Sequence, residues 1–154
     1  MARELYVEKT VIIGKPIEKV FDFLKLMENQ NEFSVWVMKD LNKKSTLQGT
    51  DGTVGSIYSW DSKDKNVGAG SQQIIKMVND ELIEYDLRFE RPMKNTAKAK
   101  FTLKSLSPQQ TEVKWDFKGP TKFPMSLFKG MLQNMLGKDM VQSLNNLKAK
   151  LESQ

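Results

Sequence analysis

The chain contains no cysteine and no histidine. The first absence excludes disulfides, thiolate nucleophiles and cysteine metal sites. The second removes the usual near-neutral proton shuttle, every Ser-His or Cys-His nucleophile arrangement, and the common ligands of zinc, copper and haem. No metal and no cofactor is therefore expected, and any catalysis must run through Asp, Glu, Tyr, Lys or water. Long apolar runs are missing too. None approaches the roughly 18 residues of a membrane span, so no stable membrane insertion is expected. No apolar signal region follows Met1-Ala2-Arg3-Glu4, which predicts a cytoplasmic protein.

What is present suits a globular protein: 154 residues, 39% of them hydrophobic and 28% charged. That length predicts a single domain over 1–154, able to bury about 70% of the surface its unfolded chain exposes. The net charge of +5 is unevenly placed, because residues 91–154 carry 12 basic and 4 acidic residues. Lys94, Lys98, Lys100, Lys104, Lys114, Lys118 and Lys122 fall on predicted strands and turns, which reads as a solvated face that guards a sheet against edge pairing. Nucleic-acid binding is not expected, since arginines are few (Arg3, Arg88, Arg91) and no exposed aromatics interleave with the lysines. Gly68-Ala69-Gly70 lacks the third glycine and the following helix of a phosphate loop.

The longest periodic stretch runs from Phe123 to Leu151. Leu127, Phe128, Met131, Leu132, Met135, Leu136, Met140, Val141, Leu144, Leu147 and Leu151 recur at helical spacing, and Pro124 suits a first turn. At about 100° per residue, the stripe Phe128-Met131-Leu132-Met135 lies about 150° from the stripe Met140-Val141-Leu144-Leu147-Leu151. This predicts a kink at Leu136-Gly137, with the Met-rich first half acting as a flap over a cavity mouth.

Before that helix the chain reads as a sheet. Tyr6 to Ile13 predicts a first strand, and Pro16 opens a short helix with Val20, Phe21, Phe23 and Leu24 on its apolar face. Residues Glu28 to Trp36 suggest a second short helix or turn. Six further strands are predicted at Val37 to Leu47, Thr53 to Asp61, Val67 to Val78, Leu82 to Arg91, Thr96 to Leu106 and Glu112 to Lys118. The short connections Asp51-Gly52, Asp61 to Asn66, Asn79-Asp80, Pro92 to Asn95 and Ser107 to Gln110 make neighbours antiparallel. Strand parity then puts Ile83, Tyr85, Leu87 and Phe89 on one face, with Ala97, Ala99, Phe101, Leu103, Val113, Trp115 and Phe117.

Taken in order, these residues resemble the START-like superfamily (SRPBCC), also called the polyketide cyclase and dehydrase or birch-pollen-allergen-like superfamily, in its polyketide cyclase-like branch. The likeness rests on Val7 to Phe21, Phe33-Ser34-Val35-Trp36, Val54 to Trp60, Val67 to Ser71, Leu87 to Pro92, Val113-Lys114-Trp115, Gly137-Lys138-Asp139 and Leu144 to Lys148. It departs at Phe33, where the family usually has Trp, at Val35, where it has Pro, and at Met38, where close relatives often carry an acid. The resemblance implies an α+β helix-grip fold: a seven-stranded antiparallel sheet wrapped around a long C-terminal helix, with two short helices after strand 1 and an apolar cavity between sheet and helix.

Parity and resemblance together nominate Trp36, Met38, Tyr58, Trp60, Gln72, Ile74, Tyr85, Phe89, Phe101, Trp115, Phe117, Met131 and Met135 as ligand-binding candidates. Each could equally fill a core. Asp40 is a weak catalytic candidate, because burial would raise its pKa towards neutrality, although an Asp at a strand end is more often solvated. The leading expectation is a protein that binds a hydrophobic small molecule, as a monomer or weak homodimer. The alternatives are a cyclase or dehydratase using carboxylate or Tyr chemistry, and a chaperone or partner regulator.

Overall fold

The computed structural model describes residues 3–65, 67–91, 93–121 and 125–154. β1 (Arg3–Ile13) leads through Gly14 to Pro16, whose extended backbone starts α1 (Ile17–Leu24); Val20, Phe21 and Leu24 of this helix are buried. A 3-10 turn (Met27–Glu32) and the single-turn helix α2 (Val35–Met38) follow. Six strands then meander: β2 (Lys44–Gln48), β3 (Ile57–Asp61), β4 (Ala69–Val78), β5 (Leu82–Arg91), β6 (Asn95–Ser107) and β7 (Gln110–Thr121). A second 3-10 turn (Met125–Phe128) precedes the long helix α3 (Lys129–Glu152). The seven strands form one antiparallel sheet in the order β1-β7-β6-β5-β4-β3-β2, which with α3 is the helix-grip arrangement.

Alternation decides which face is covered. Along β6, Ala97, Ala99, Phe101 and Leu103 are buried while Thr96 and Lys98 are exposed, the period-2 pattern of a half-buried strand. The inward side chains meet Met140, Leu144, Leu147 and Leu151 of α3 in a single core with Ile13, Phe21, Leu24 and Phe33. The far end of α3 is tied to β1: the Gly14 N–H donates to Glu152 Oε2 at 2.7 Å and Lys148 Nζ donates to the Ile12 carbonyl at 2.7 Å.

Two predicted elements differ. Val37 to Leu47 is not one strand: the chain makes α2, a turn, and only then the short β2, all of whose residues are exposed. Tertiary bonds hold the helical turn against local β propensity, for the Trp36 indole N–H donates to Asp139 Oδ2 at 2.9 Å and the Val35 N–H to Ser143 Oγ at 3.0 Å. The second difference is in α3, which runs unbroken through Gly137. Leu132, Leu136, Met140, Ser143, Leu144, Leu147 and Leu151 all fall within about 120° of one another at helical spacing, so one face serves the whole helix. Gly137 is buried where α3 crosses β1: a Cβ there would lie 3.0 Å from Lys9 Cε and 3.6 Å from Val7 Cγ1. It permits close approach and needs no kink. The predicted start of the helix at Phe123 and Pro124 lies outside the described residues, as do the turn residues Asn66 and Pro92 and the face residue Lys122.

On the outer face, lysines pair with acids of neighbouring strands: Lys98 with Asp86 (3.0 Å), Lys118 with Glu4 (3.7 Å) and Lys100 with Asp116 (3.9 Å). The exposed pairs add about 1 kcal/mol at most each. Asp116 differs, because its side chain is buried between β1 and β6. Burial pushes its carboxyl up from the usual range, Lys100 opposes the rise and Glu8 adds to it. A carboxyl raised in the folded state penalises folding above its folded pKa, and the penalty vanishes as pH falls below the unfolded value. Asp116→Asn is therefore expected to raise the urea midpoint at about pH 7 and to leave it nearly unchanged at about pH 3.

Candidate functional site

Register places the inward side chains in rows across the sheet. Ile83, Phe101 and Trp115 form one row on β5, β6 and β7. It is filled: the Phe101 and Trp115 rings stack at 4.9 Å and 20°, and Phe33 meets both edge-on. The next row holds Ile74, Tyr85, Ala99 and Phe117, and the one after it Tyr58, Gln72, Leu87 and Ala97. Here β6 contributes only methyl groups. Space is left beneath the first half of α3, and it forms a cavity of about 550 Å3.

Gly70 shapes one wall. It pairs with Trp60 on β3 and Phe89 on β5, at a register shift between Ala69 and Gly70. A Cβ at this position would lie 2.4 Å from the Arg88 carbonyl oxygen and 2.9 Å from the Trp60 ring. Its absence lets Trp60 and Phe89 meet edge-to-face at 6.3 Å. That is the close approach a glycine inside a strand serves.

Of the sequence-predicted residues, Trp36, Tyr58, Trp60, Gln72, Tyr85, Phe89, Trp115 and Phe117 line the cavity. Ile74 and Phe101 are fully buried in the core beside it. Met38, Met131 and Met135 are exposed, at 41%, 56% and 59%, and do not line it. Met38 ends α2 instead of continuing a strand. Met131 and Met135 lie outside the arc of α3 that faces the sheet, so Leu132 and Leu136 cover the cavity in their place. Asp40 is also absent from the lining; it accepts hydrogen bonds from Ser62 Oγ (2.5 Å) and the Asn42 N–H (3.0 Å), which organises the turn after α2.

The lining has few polar groups, and most are already paired. Gln30 and Gln72 form a buried reciprocal amide pair at 3.2 and 3.1 Å. Asn31 Nδ2 donates to the Tyr58 hydroxyl at 3.2 Å and its Oδ1 accepts from Lys43 Nζ at 2.7 Å. The Trp60 indole N–H donates to the Val67 carbonyl at 3.3 Å. Only the Tyr85 hydroxyl, among the described residues, is buried with no hydrogen-bond partner. Burial pushes its phenol far above the ordinary range; Asp51 adds to the shift, and the Gln30 side chain beside it opposes it without reaching hydrogen-bond geometry. Arg91, Met93, Lys94 and Asn95 are exposed and form the solvent end of the cavity, where Arg91 is paired with Asp61.

Gln30, Ser34, Lys43, Leu87, Leu132 and Leu136 also line the cavity but were not among the ligand-binding candidates, although Leu87 was placed on the inward face and Leu132 on the helix over the cavity mouth. Gln30 sits in a polar run that looks solvated, yet it is only 8% exposed. Its signal was Gln72, an amide of inward parity that needed a buried partner. Among the described residues no Asp or Glu lines the cavity, and there is no cluster of three or more His, Cys, Asp or Glu suited to a metal ion. None of their helices is long and apolar enough to cross a membrane.

No curated protein matches the chain. Solved structures of the same fold include a Staphylococcus aureus protein of unknown function (TM-score 0.74, 8% identity, 99% of this chain and 96% of that one). Another is the Aha1 dimer from Colwellia psychrerythraea (0.66, 15%, 96% of each). DynU16, from the dynemicin biosynthetic locus, matches with 96% of this chain over 47% of its own length (0.67, 14%). At such identities the likeness carries the fold alone. The sequence carries more than the fold: the family model for polyketide cyclase/dehydrase and lipid transport matches residues 5–152, so the chain belongs to that family.

Proposed function

We propose that the protein binds a hydrophobic small molecule, of lipid, quinone or polyketide type, in the cavity between the sheet and α3. The observation that carries this reading is the cavity of about 550 Å3 with an aromatic wall of Trp36, Tyr58, Trp60, Tyr85, Phe89, Trp115 and Phe117. Its volume falls within the ~300–1,000 Å3 of small-molecule sites. A ligand that removed ~250 Å2 of apolar surface from water would gain about 6 kcal/mol, part of which association takes back. Membership of the polyketide cyclase/dehydrase and lipid transport family supports the lipid and polyketide classes.

A cyclase or dehydratase ranks second, because among the described residues the ionisable ones of the lining are Tyr58, Tyr85, Lys43, Arg91 and Lys94, with no carboxylate to act as a general base. A partner-binding role is favoured by a different feature, the exposed apolar residues Leu127 and Phe128 of the second 3-10 turn together with Met131 and Met135 of α3.

Native mass spectrometry of the protein purified from its own host tests the proposal. A co-purifying compound of a few hundred daltons is expected in the wild type. Leu136→Trp, which fills the cavity from its helical cover, is expected to lose that compound and to weaken its rebinding by about 30-fold, roughly 2 kcal/mol, at unchanged fold. Equal retention by wild type and Leu136→Trp would overturn the reading.

A further inference from the structure

Resting on the ligand-binding reading above, we infer that the cavity selects ligands whose buried end carries an uncharged carbonyl-type oxygen, received by the Tyr85 hydroxyl. Tyr85 is 1% exposed, lines the cavity, and has no hydrogen-bond partner among the described residues. Its row neighbours Ile74 and Ala99 are apolar and buried, so neither of them can supply one. The nearest amides, Gln30 and Gln72, bond each other, and Gln30, although beside the hydroxyl, does not reach hydrogen-bond geometry with it. An orphaned buried hydroxyl is costly to keep, and on a residue that lines a cavity a ligand oxygen can supply the missing partner.

The chemistry of that partner follows from charge. A phenol held far above its ordinary range stays protonated at any physiological pH, so it donates. The cations of the lining lie elsewhere: Lys94 and Arg91 are exposed at the solvent end, Arg91 is paired with Asp61, and Lys43 is bonded to Asn31. A carboxylate driven to Tyr85 would be buried without a counter-ion, which is strongly disfavoured. A plain hydrocarbon end would leave the hydroxyl unpaired. A ketone, quinone, ester or lactone oxygen meets both conditions, since it accepts one hydrogen bond and brings no charge.

A pair of fluorescent probes separates this inference from the reading beneath it: 6-propionyl-2-(dimethylamino)naphthalene, and its analogue with propyl in place of propionyl. Both are titrated into wild type and Tyr85→Phe. The variant should fold, because it keeps the ring and removes an unsatisfied buried group. The propionyl probe is expected to bind wild type about tenfold more tightly than Tyr85→Phe, and its emission to move to the blue in the variant as the carbonyl loses its hydrogen bond. The propyl probe is expected to bind both proteins alike. Equal affinity of the propionyl probe for both proteins, with unchanged emission, would overturn the carbonyl inference and leave the cavity reading standing. Binding of neither probe to wild type would overturn both.

Discussion

Phe101→Ala is expected to lower the unfolding free energy by about 3–5 kcal/mol. Phe101 is fully buried at the boundary between the filled core and the cavity. Its ring stacks on Trp115 at 4.9 Å and meets Tyr85 edge-on at 6.1 Å and Phe33 at 6.4 Å. Truncation removes all three contacts, and the β-strand behind them cannot move to close the gap because β5 and β7 pair with it on both sides. For a domain of this size the midpoint should fall by roughly 8–15 °C. A urea titration measures the loss, and a cost below about 1 kcal/mol would mean that this end of the sheet is much less tightly packed than the rings imply. A double-mutant cycle with Trp115→Ala should return a coupling of about 0.5–1.5 kcal/mol for the stacked pair.

Gly70→Ala comes next in size, and it reaches function through the backbone. The added methyl would sit 2.4 Å from the Arg88 carbonyl oxygen, a main-chain atom that no rotamer change can withdraw. Either β4 and β5 separate locally or the bulge rearranges, at about 3 kcal/mol. The same methyl would press on the Trp60 ring from 2.9 Å and part it from Phe89. Binding of the propionyl probe should therefore weaken along with stability. A variant with wild-type stability and binding would show that the glycine serves neither the bulge nor the wall. Gly70 is not in the left-handed region, so close contact alone makes this position demanding.

Much of this architecture was legible before any coordinates. Strand parity alone assigned the inward rows of β5, β6 and β7, because a period of two admits only two faces and one of them holds the aromatics. The helix was legible from its period. Its facing was not, because Met131, Leu132, Met135 and Leu136 are equally apolar and hydropathy cannot say which pair meets the sheet. The arc shared with Met140, Leu144 and Leu147 decides it, and selects Leu132 and Leu136.

The same distinction holds for the site. Composition by itself excluded histidine and cysteine chemistry, and the hydrophobic patterns by themselves determined an antiparallel sheet followed by one long amphipathic helix, since both follow from local residue identity; the grip of the sheet around that helix came from the family resemblance. Only the tertiary structure decided that Val35 to Met38 turns as a helix, that Gln30 leaves a polar run to pair with Gln72, and that Gly137 marks a close crossing in an unbroken helix. It also decided where packing stops. A cavity is the absence of side chains from a place that several strands and a helix define together, and no single stretch of sequence records that Ala99 of β6 and Leu132 and Leu136 of α3 line one space. The unpartnered Tyr85 hydroxyl belongs to the same class, because whether a buried polar group is satisfied depends on every element around it.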